Sequence, residues 1–374
     1  MPRSDSVDDR AAEWGRIDCL PSRPGWSTLA HELGRSRTMT ISRLAGAVML
    51  LLAAAEDGHA QEANPTQQEV DYVNAADGTP LSGYLSVPTG VDESPGVVLL
   101  SIAGTEVVTE SLVEAGYAVL APIRRGFVSV DPLLRATYAD LGGDLRAALD
   151  YLGSLPEVDS GRLVVIAQAD DAPPAMLAMA SSSSPIPLLL VAPPAFSGVQ
   201  EFRREQMGLA RRDGAGGDEL LALDRYIDQI AAIALSDAQP YVREYRLGVL
   251  REASSVDLPR NAAFPMDERQ ARFLASPLWR DRLSFEPQRV LASLRSPVMV
   301  VIGEEEANTP IEAYVDSVRR GFTAGSREAS VCIVPGRTRH SFSPRTIDVV
   351  VRWVDARLRE AAPAEPMCRE ELPG

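Results

Sequence analysis

A strand that turns sharply into a helix at residues 162–180 constrains the fold of this chain more than any other stretch. Residues 163–166 are apolar and rich in β-branched side chains, which is typical of a buried strand. Residues 172–180 combine good helix formers with two prolines near their start, where a first helical turn accepts proline. A buried strand that runs directly into a helix is the repeating unit of α/β proteins, so the sequence predicts a mostly parallel sheet flanked by helices.

Short apolar runs and helical patterns alternate along most of the remaining chain. An antiparallel pair of strands is predicted first, at 69–74 and 81–88, around a turn at 77–80. The further predicted elements are strands at 96–102, 117–122, 186–193, 297–303 and 329–334, and helices at 106–115, 138–152, 310–321 and after the N-cap Ser343. Residues 196–287 interrupt this alternation with a helical pattern, which predicts a cap inserted into the topology of the sheet.

The N-terminal part of the chain has the pattern of a secretory signal. Residues 44–55 form an apolar run that is too short to span a bilayer, with arginines before it and small residues at 58–60 after it. We therefore predict a signal peptide at 39–60, export to the periplasm or the exterior, and no transmembrane segment after cleavage. Residues 1–38 are either an extension that precedes a true start at Met39, or a long basic leader to the signal.

Charge and residue counts exclude several classes of function. A net charge of −15 disfavours nucleic acid as a partner, since nucleic acid is bound through surplus Lys and Arg. Cleavage after residue 60 would leave one histidine, His340, and two cysteines, Cys332 and Cys368. So few ligands make a transition-metal site improbable, and nothing in the sequence indicates a cofactor. The two cysteines either form a disulfide or remain independent thiols.

Several short motifs point to one family. They are Asp77-Gly78 with residues 81–83, residues 116–122 leading to Arg125-Gly126, residues 155–159 with Arg162, and residues 276–279 with 285–287. On these motifs, residues 70–361 resemble the α/β-hydrolase superfamily, close to its secreted esterase and serine-aminopeptidase branches. The resemblance implies one α/β-hydrolase domain over 61–374, with a helical cap at about 196–287 and a C-terminal tail at 362–374.

The resemblance also implies that the nucleophile is missing. In α/β-hydrolases the turn after the central strand carries G-x-S-x-G, with the serine on a strained backbone. Here Ala169 takes the place of the serine, and Asp171 takes the place of the second glycine. Asp170 and Ser101 are alternative nucleophiles, although a simpler role for Asp170 or Asp171 is to cap the following helix.

The other catalytic positions of the family are filled. Glu306, with Glu305 beside it, follows the predicted strand 297–303 at the position of the acid, and His340 lies at the position of the general base. An acidic surface loop and a surface histidine are the alternative interpretations. The oxyanion donors would be the backbone N–H groups of Ile102, Ala103 and Asp170, in a loop that is shorter than the family usually has.

Two functions remain open on this sequence. The first is an exported, catalytically degenerate hydrolase that binds a small ester, amide or peptide in its former active-site cleft. The second is an active hydrolase of ester or amide bonds that uses a non-standard nucleophile such as Asp170. The altered elbow favours the first, and the retained His340 and Glu306 favour the second.

Overall fold

A computed structural model describes residues 67–101, 105–127, 129–254, 267–305, 310–322, 328–339 and 341–359. The predictions for residues 1–38, the signal peptide at 39–60 and the tail at 362–374 lie outside these ranges. The strands are β1 (Gln67–Asn74), β2 (Thr79–Ser86), β3 (Ser94–Leu100), β4 (Ala118–Ile123), β5 (Val158–Gln168), β6 (Leu188–Val191), β7 (Val298–Gly303) and β8 (Ala329–Val334). The helices are α1 (Thr105–Glu114), α2 (Val130–Arg135), α3 (Tyr138–Gly153), α4 (Ala172–Ala180), α5 (Gly198–Arg212), α6 (Gly217–Leu235), α7 (Pro240–Ser254), α8 (Glu268–Ala275), α9 (Pro277–Ser284), α10 (Pro287–Ser293), α11 (Ile311–Phe322) and α12 (Pro344–Leu358).

The described strands form one eight-stranded sheet in the order β1-β2-β4-β3-β5-β6-β7-β8. β1 and β2 are antiparallel to their neighbours, and every pairing from β4 through β8 is parallel. This is the α/β-hydrolase fold, so the predicted fold class is confirmed. β5 lies near the middle of the sheet, where helices can cover both of its faces.

The apolar pattern of β5 explains how the sheet is covered. Val164 and Ile166 point to one side, where they pack with residues of α1 and α12. Val165 and Ala167 point to the other side, where they pack with residues of α3, α4 and α11. All four side chains are fully buried, which is why the sequence shows a continuous apolar run rather than an alternating one.

The bounds of the elements differ from the sequence predictions at several places. β2 begins at Thr79 because Thr79 and Pro80, predicted to lie in the turn, pair with Asn74 and Val73. The strand predicted at 186–193 is reduced to Leu188–Val191, the four residues that pair with both β5 and β7. The short helix Val130–Arg135 was not predicted, since six residues are too few to show a helical period.

Five helices, α5 to α9, form the predicted cap between β6 and β7. The cap has an apolar core of its own, separate from the two layers that cover the sheet. At its centre the rings of Phe202 and Trp279 meet edge to face, with their centroids 5.2 Å apart. The cap therefore has a core of its own, and Leu278 of its last helix also packs against the core that covers the sheet.

Of the three cysteines in the sequence, Cys332 lies among the described residues. Cys332 is fully buried on β8 and takes part in a disulfide. The other two cysteines of the chain, Cys19 and Cys368, lie outside the described residues, so a pairing with Cys368 stays a prediction.

Within the ranges that the structure describes, no helix is long and apolar enough to cross a bilayer.

Candidate functional site

The backbone at Ala169 has the conformation of a nucleophile elbow. β5 ends at Gln168, a short 3-10 turn covers Ala169–Asp171, and α4 starts immediately afterwards. Ala169 has a φ of 50°, in the left-handed region that side-chain-bearing residues rarely adopt. A strained strand-to-helix turn is therefore present at the position predicted for the nucleophile, and the residue there carries a methyl group.

Gln168 fixes this turn to its neighbours. Its side chain is buried, and its Nε2 donates a hydrogen bond of 2.7 Å to the carbonyl oxygen of Thr338. Its Oε1 accepts a hydrogen bond from the hydroxyl of Ser101, at the end of β3. Gln168 thus joins β3, β5 and the loop after β8. No role for Gln168 was predicted from the sequence, although a polar residue at the end of a buried strand is a usable signal for one.

The loops after β7 and β8 are held together directly above the sheet. The amides of Glu304 and Glu305 donate to the carbonyl oxygens of Val334 and Gly336, at 2.8 and 3.0 Å. The amide of Gly303 donates to the hydroxyl of Thr338 at 3.0 Å. The segments that lead to the predicted acid and to the predicted base are therefore adjacent.

Four of the predicted site residues lie outside the described residues. These are Glu306, His340, Ile102 and Ala103. Two described residues next to them contact the elbow: Arg339, before His340, pairs with Asp170, and Ser101, before Ile102, bonds Gln168. The roles of acid, base and oxyanion donors stay predictions.

A cluster of charged side chains surrounds the elbow. Asp170 forms ion pairs with Arg282 at 3.1 Å and with Arg339 at 3.5 Å. Arg282 also reaches Glu205 at 3.4 Å, and Arg124 pairs with Asp171. Arg124 follows β4, Arg282 belongs to α9 of the cap, and Arg339 follows β8. The cluster therefore connects the cap to the elbow and to the loops after β4 and β8.

Asp171 does not cap α4 with its side chain, contrary to the sequence prediction. It occupies the N-cap position but makes no capping hydrogen bond there. A capping carboxylate bonds the N–H of the second or third helical residue, and in α4 these are Pro173 and Pro174, which have no N–H. The carboxylate of Asp171 binds the guanidinium of Arg124 instead. Asp170 does not cap the helix either, since its carboxylate is held by Arg282 and Arg339.

The arginines keep Asp170 ionised. Burial alone would raise the pKa of the Asp170 carboxyl, but the positive charges of Arg282, Arg339 and Arg124 outweigh burial and lower the pKa to about 2. A folded-state pKa below the ordinary value of about 3.9 stabilises the fold above that value. This stabilisation is lost as the pH falls from about 4 through 2.

The ion pairs of Asp170 lead to a prediction about acid stability. Asp170→Asn should lower the free energy of unfolding at pH 7 by about 1–2 kcal/mol, less than for a fully buried pair, since 38% of the Asp170 side chain is exposed. The difference from the wild type should shrink between pH 4 and 2, as urea titrations at each pH would measure. Asp150→Asn, on the exposed side of α3, is the control and should change the stability by less than about 0.5 kcal/mol. A deficit of Asp170→Asn that is the same at pH 7 and pH 2 would contradict this assignment.

The described residues contain no group of three or more His, Cys, Asp or Glu side chains placed to hold a metal ion. The charged groups of the cleft are instead arginines and carboxylates that pair with one another. The arrangement can fix the cap above the elbow and can present paired charges to a molecule in the cleft.

Comparison with known proteins gives structural likenesses alone. No family profile and no curated protein matches the sequence. Among solved structures, the chain is similar to DcsB in complex with its substrate analogue, with a TM-score of 0.49 and 15% identity over 78% of this chain and 99% of that one. It is also similar to an esterase of Pyrococcus furiosus (TM-score 0.44, 16% identity, 80% and 92% covered) and to the α/β-hydrolase GrgF of Penicillium (TM-score 0.48, 14% identity, 78% and 99% covered). Identities this low do not transfer a substrate or the role of any residue.

Proposed function

We propose that this protein is an exported α/β-hydrolase-fold protein that no longer hydrolyses its ligand and instead binds an ester, amide or peptide in the cleft above Ala169. The observation that carries the proposal is the elbow itself, which keeps a φ of 50° around a methyl group. A methyl group cannot attack a carbonyl carbon. A strained backbone costs about 1–3 kcal/mol and persists where the surrounding structure holds it, which favours a retained cleft over a dismantled one.

The contacts of the alternative nucleophiles favour binding over hydrolysis. The carboxylate of Asp170 is engaged by two guanidinium groups, which withdraw the lone pairs that an attack would need. The hydroxyl of Ser101 donates to Gln168 Oε1, an amide oxygen that cannot act as a general base at neutral pH. These contacts of Asp170 and Ser101 are structural pairings, and neither of them joins the group to a general base.

The charge balance of the cleft supports a neutral ligand. Arg124 has Asp171 as its partner, and Arg282 is shared between Asp170 and Glu205. Arg339 also has Asp170 as a partner. An anionic ligand would have to displace a carboxylate of the protein, whereas an ester, an amide or a peptide backbone can accept hydrogen bonds from guanidinium groups that keep their partners.

Export is the part of the proposal that depends on the sequence alone. The apolar run at 44–55, with arginines before it and small residues after it, supports a signal at 39–60. The ligand would then be met in the periplasm or outside the cell.

The proposal predicts binding without turnover. Purified protein should release 4-nitrophenolate from 4-nitrophenyl butyrate no faster than an equal concentration of an inert protein does. The same ester should give a saturation-transfer NMR signal, and Ala169→Leu should weaken that signal, because its longer side chain would lie above the elbow. Circular dichroism would check that this variant is folded. Turnover above background that disappears in His340→Ala would contradict the proposal and favour an active hydrolase.

A further inference from the structure

A groove lies in the cap, on the side of α5 that faces away from the elbow. It has a volume of about 560 Å³ and is formed between α5 and α6. Glu205 of α5 faces the cleft, where it bonds Arg282. Met207 lines the cavity and lies about 200° further round the same helix, at about 100° per residue. The two sites are therefore on opposite sides of α5.

The floor of this groove is apolar. Met207, Leu220 and Leu221 line it. Leu221 is 62% exposed, whereas Leu223 and Ile227 on the same helix are buried. The groove therefore offers apolar surface that the described part of the chain leaves uncovered, and its volume lies in the range of small-molecule sites.

The rim of the groove is basic. Arg204 and Arg211 lie on the same face of α5 as Met207, three and four residues away from it. The guanidinium of Arg204 lies 3.9 Å from the centroid of the Phe196 ring, which holds it in place. Arg211 is exposed, and no other described residue forms an ion pair or hydrogen bond with its side chain. The whole chain carries a net charge of −15, so a rim lined by arginines is a positively charged patch on a negatively charged protein.

The third arginine of the rim is already neutralised. Arg203 forms ion pairs with Asp224, at 2.8 Å, and with Asp228. These pairs bind α5 to α6 and keep the two walls of the groove at a fixed distance. An anionic ligand can therefore bind the guanidinium of Arg211 without breaking an ion pair between described residues.

We propose that this groove binds a free, single-chain anionic amphiphile of the fatty-acid type. The alkyl chain would lie on Met207, Leu220 and Leu221, and the carboxylate would lie at Arg211. Apolar floor and cationic rim together select this class, since a neutral alcohol would not use Arg211 and a cationic detergent would be repelled by it. The groove is separate from the cleft, so the proposal does not depend on what the cleft binds.

The test is the binding of sodium dodecanoate to the full-length protein by isothermal titration calorimetry, below the concentration at which dodecanoate forms micelles. Decanoate, which is two methylenes shorter, should bind about 15-fold more weakly, because each buried methylene strengthens binding by about fourfold. Dodecyltrimethylammonium, which has the same chain and the opposite charge, should bind at least about tenfold more weakly. Equal affinity for the cationic and anionic detergents would overturn the proposal, as would binding to phosphatidylglycerol vesicles without binding to free dodecanoate.

Matched variants locate the site. Arg211→Glu should weaken dodecanoate binding by at least about tenfold, whereas Arg212→Glu, with the same charge change in the same last turn of α5, should not, because residue 212 does not line the groove. Leu221→Ser should weaken binding several-fold without loss of fold, since the residue is exposed. Equal losses in the two arginine variants would overturn the proposal. A loss in Ala169→Leu but not in Arg211→Glu would also overturn it, because that result would place the detergent in the cleft.

Discussion

Ala169→Ser should convert a protein that does not hydrolyse esters into one that does. The φ of 50° at residue 169 already places a side chain at the top of the sheet, so a serine introduced there needs no change of the backbone. Hydrogen bonds from Gln168 and Gly303 hold the loop that leads to His340 against the same edge of the sheet. Since removing a serine nucleophile costs most of the rate in such enzymes, we expect the variant to cleave 4-nitrophenyl butyrate at least about 100-fold faster than the wild type does.

The controls test whether any esterase activity of Ala169→Ser comes from a restored catalytic site or merely from an added hydroxyl group. Ala192, at the end of β6, is the other non-glycine residue with a positive φ in the described part of the chain, at 47°. Ala192→Ser therefore makes the same change on a similar backbone at the end of the neighbouring strand, beside the elbow but not in it, and it should stay inactive. Ala169→Ser combined with His340→Ala should return to the wild-type rate. Mass spectrometry should find a fluorophosphonate attached at residue 169 of the single variant and not in the wild type. A folded Ala169→Ser protein with no activity and no label would mean that the loops no longer align a catalytic site.

The sequence predicted the frame of this site because the frame depends on local patterns. An apolar run that ends at a turn and is followed by helix formers places the strand-to-helix turn at residue 169. This local pattern does not depend on the distant residues that surround the turn in the folded protein. The structure accordingly contains β5, the turn and α4 at these positions. The failure of Asp171 to cap α4 was also predictable in principle, because Pro173 and Pro174 remove the two N–H groups that a cap would bond.

The charges of the cleft could not be predicted in the same way. Arg124, Arg282 and Arg339 come from three separate elements, and no local pattern distinguishes them from the many exposed arginines of this chain. Their convergence on Asp170 and Asp171 depends on where the cap packs. Gln168 was also missed, because its partners, Ser101 and Thr338, lie 67 and 170 residues away along the chain. Sequence patterns therefore gave the position of the elbow, and tertiary packing gave its chemical surroundings.

The position of the cap depends on close contact between two backbones. Gly198 is the first residue of α5, and a Cβ atom there would lie 1.8 Å from the carbonyl oxygen of Arg282 and 2.7 Å from the carbonyl carbon of Leu283. The amide of Gly198 also donates to the carbonyl oxygen of Phe285 at 2.9 Å. The start of the first cap helix thus touches the end of α9, the helix that carries Arg282 to Asp170.

Gly198→Ala should therefore lower the free energy of unfolding by about 3 kcal/mol or more, at the upper end of overpacking effects, because the obstructing atoms belong to the backbone and cannot rotate away. Urea denaturation would measure this as a lower midpoint. Gly248→Ala is the matched control, since a Cβ atom there, within α7, meets nothing within 4 Å. It should stabilise the protein by about 0.5–1 kcal/mol, the usual gain when a helical glycine with room for a methyl group becomes alanine. Equal midpoints for the two variants would contradict the close contact.

A displaced α9 should also alter the cleft. Moving the backbone of Arg282 away from Gly198 would draw its guanidinium from Asp170, so Gly198→Ala should weaken the binding of 4-nitrophenyl butyrate and reduce the turnover gained by Ala169→Ser. Gly248→Ala should leave both unchanged, because α7 contributes no side chain to the charged cluster of the cleft. In Gly198→Ala, stability and ester binding should both decrease, whereas in Gly248→Ala stability should increase while ester binding stays the same. The pair of variants therefore tests whether the packing of the cap sets the geometry of the cleft. A Gly198→Ala protein that is less stable but binds the ester with wild-type affinity would show that it does not.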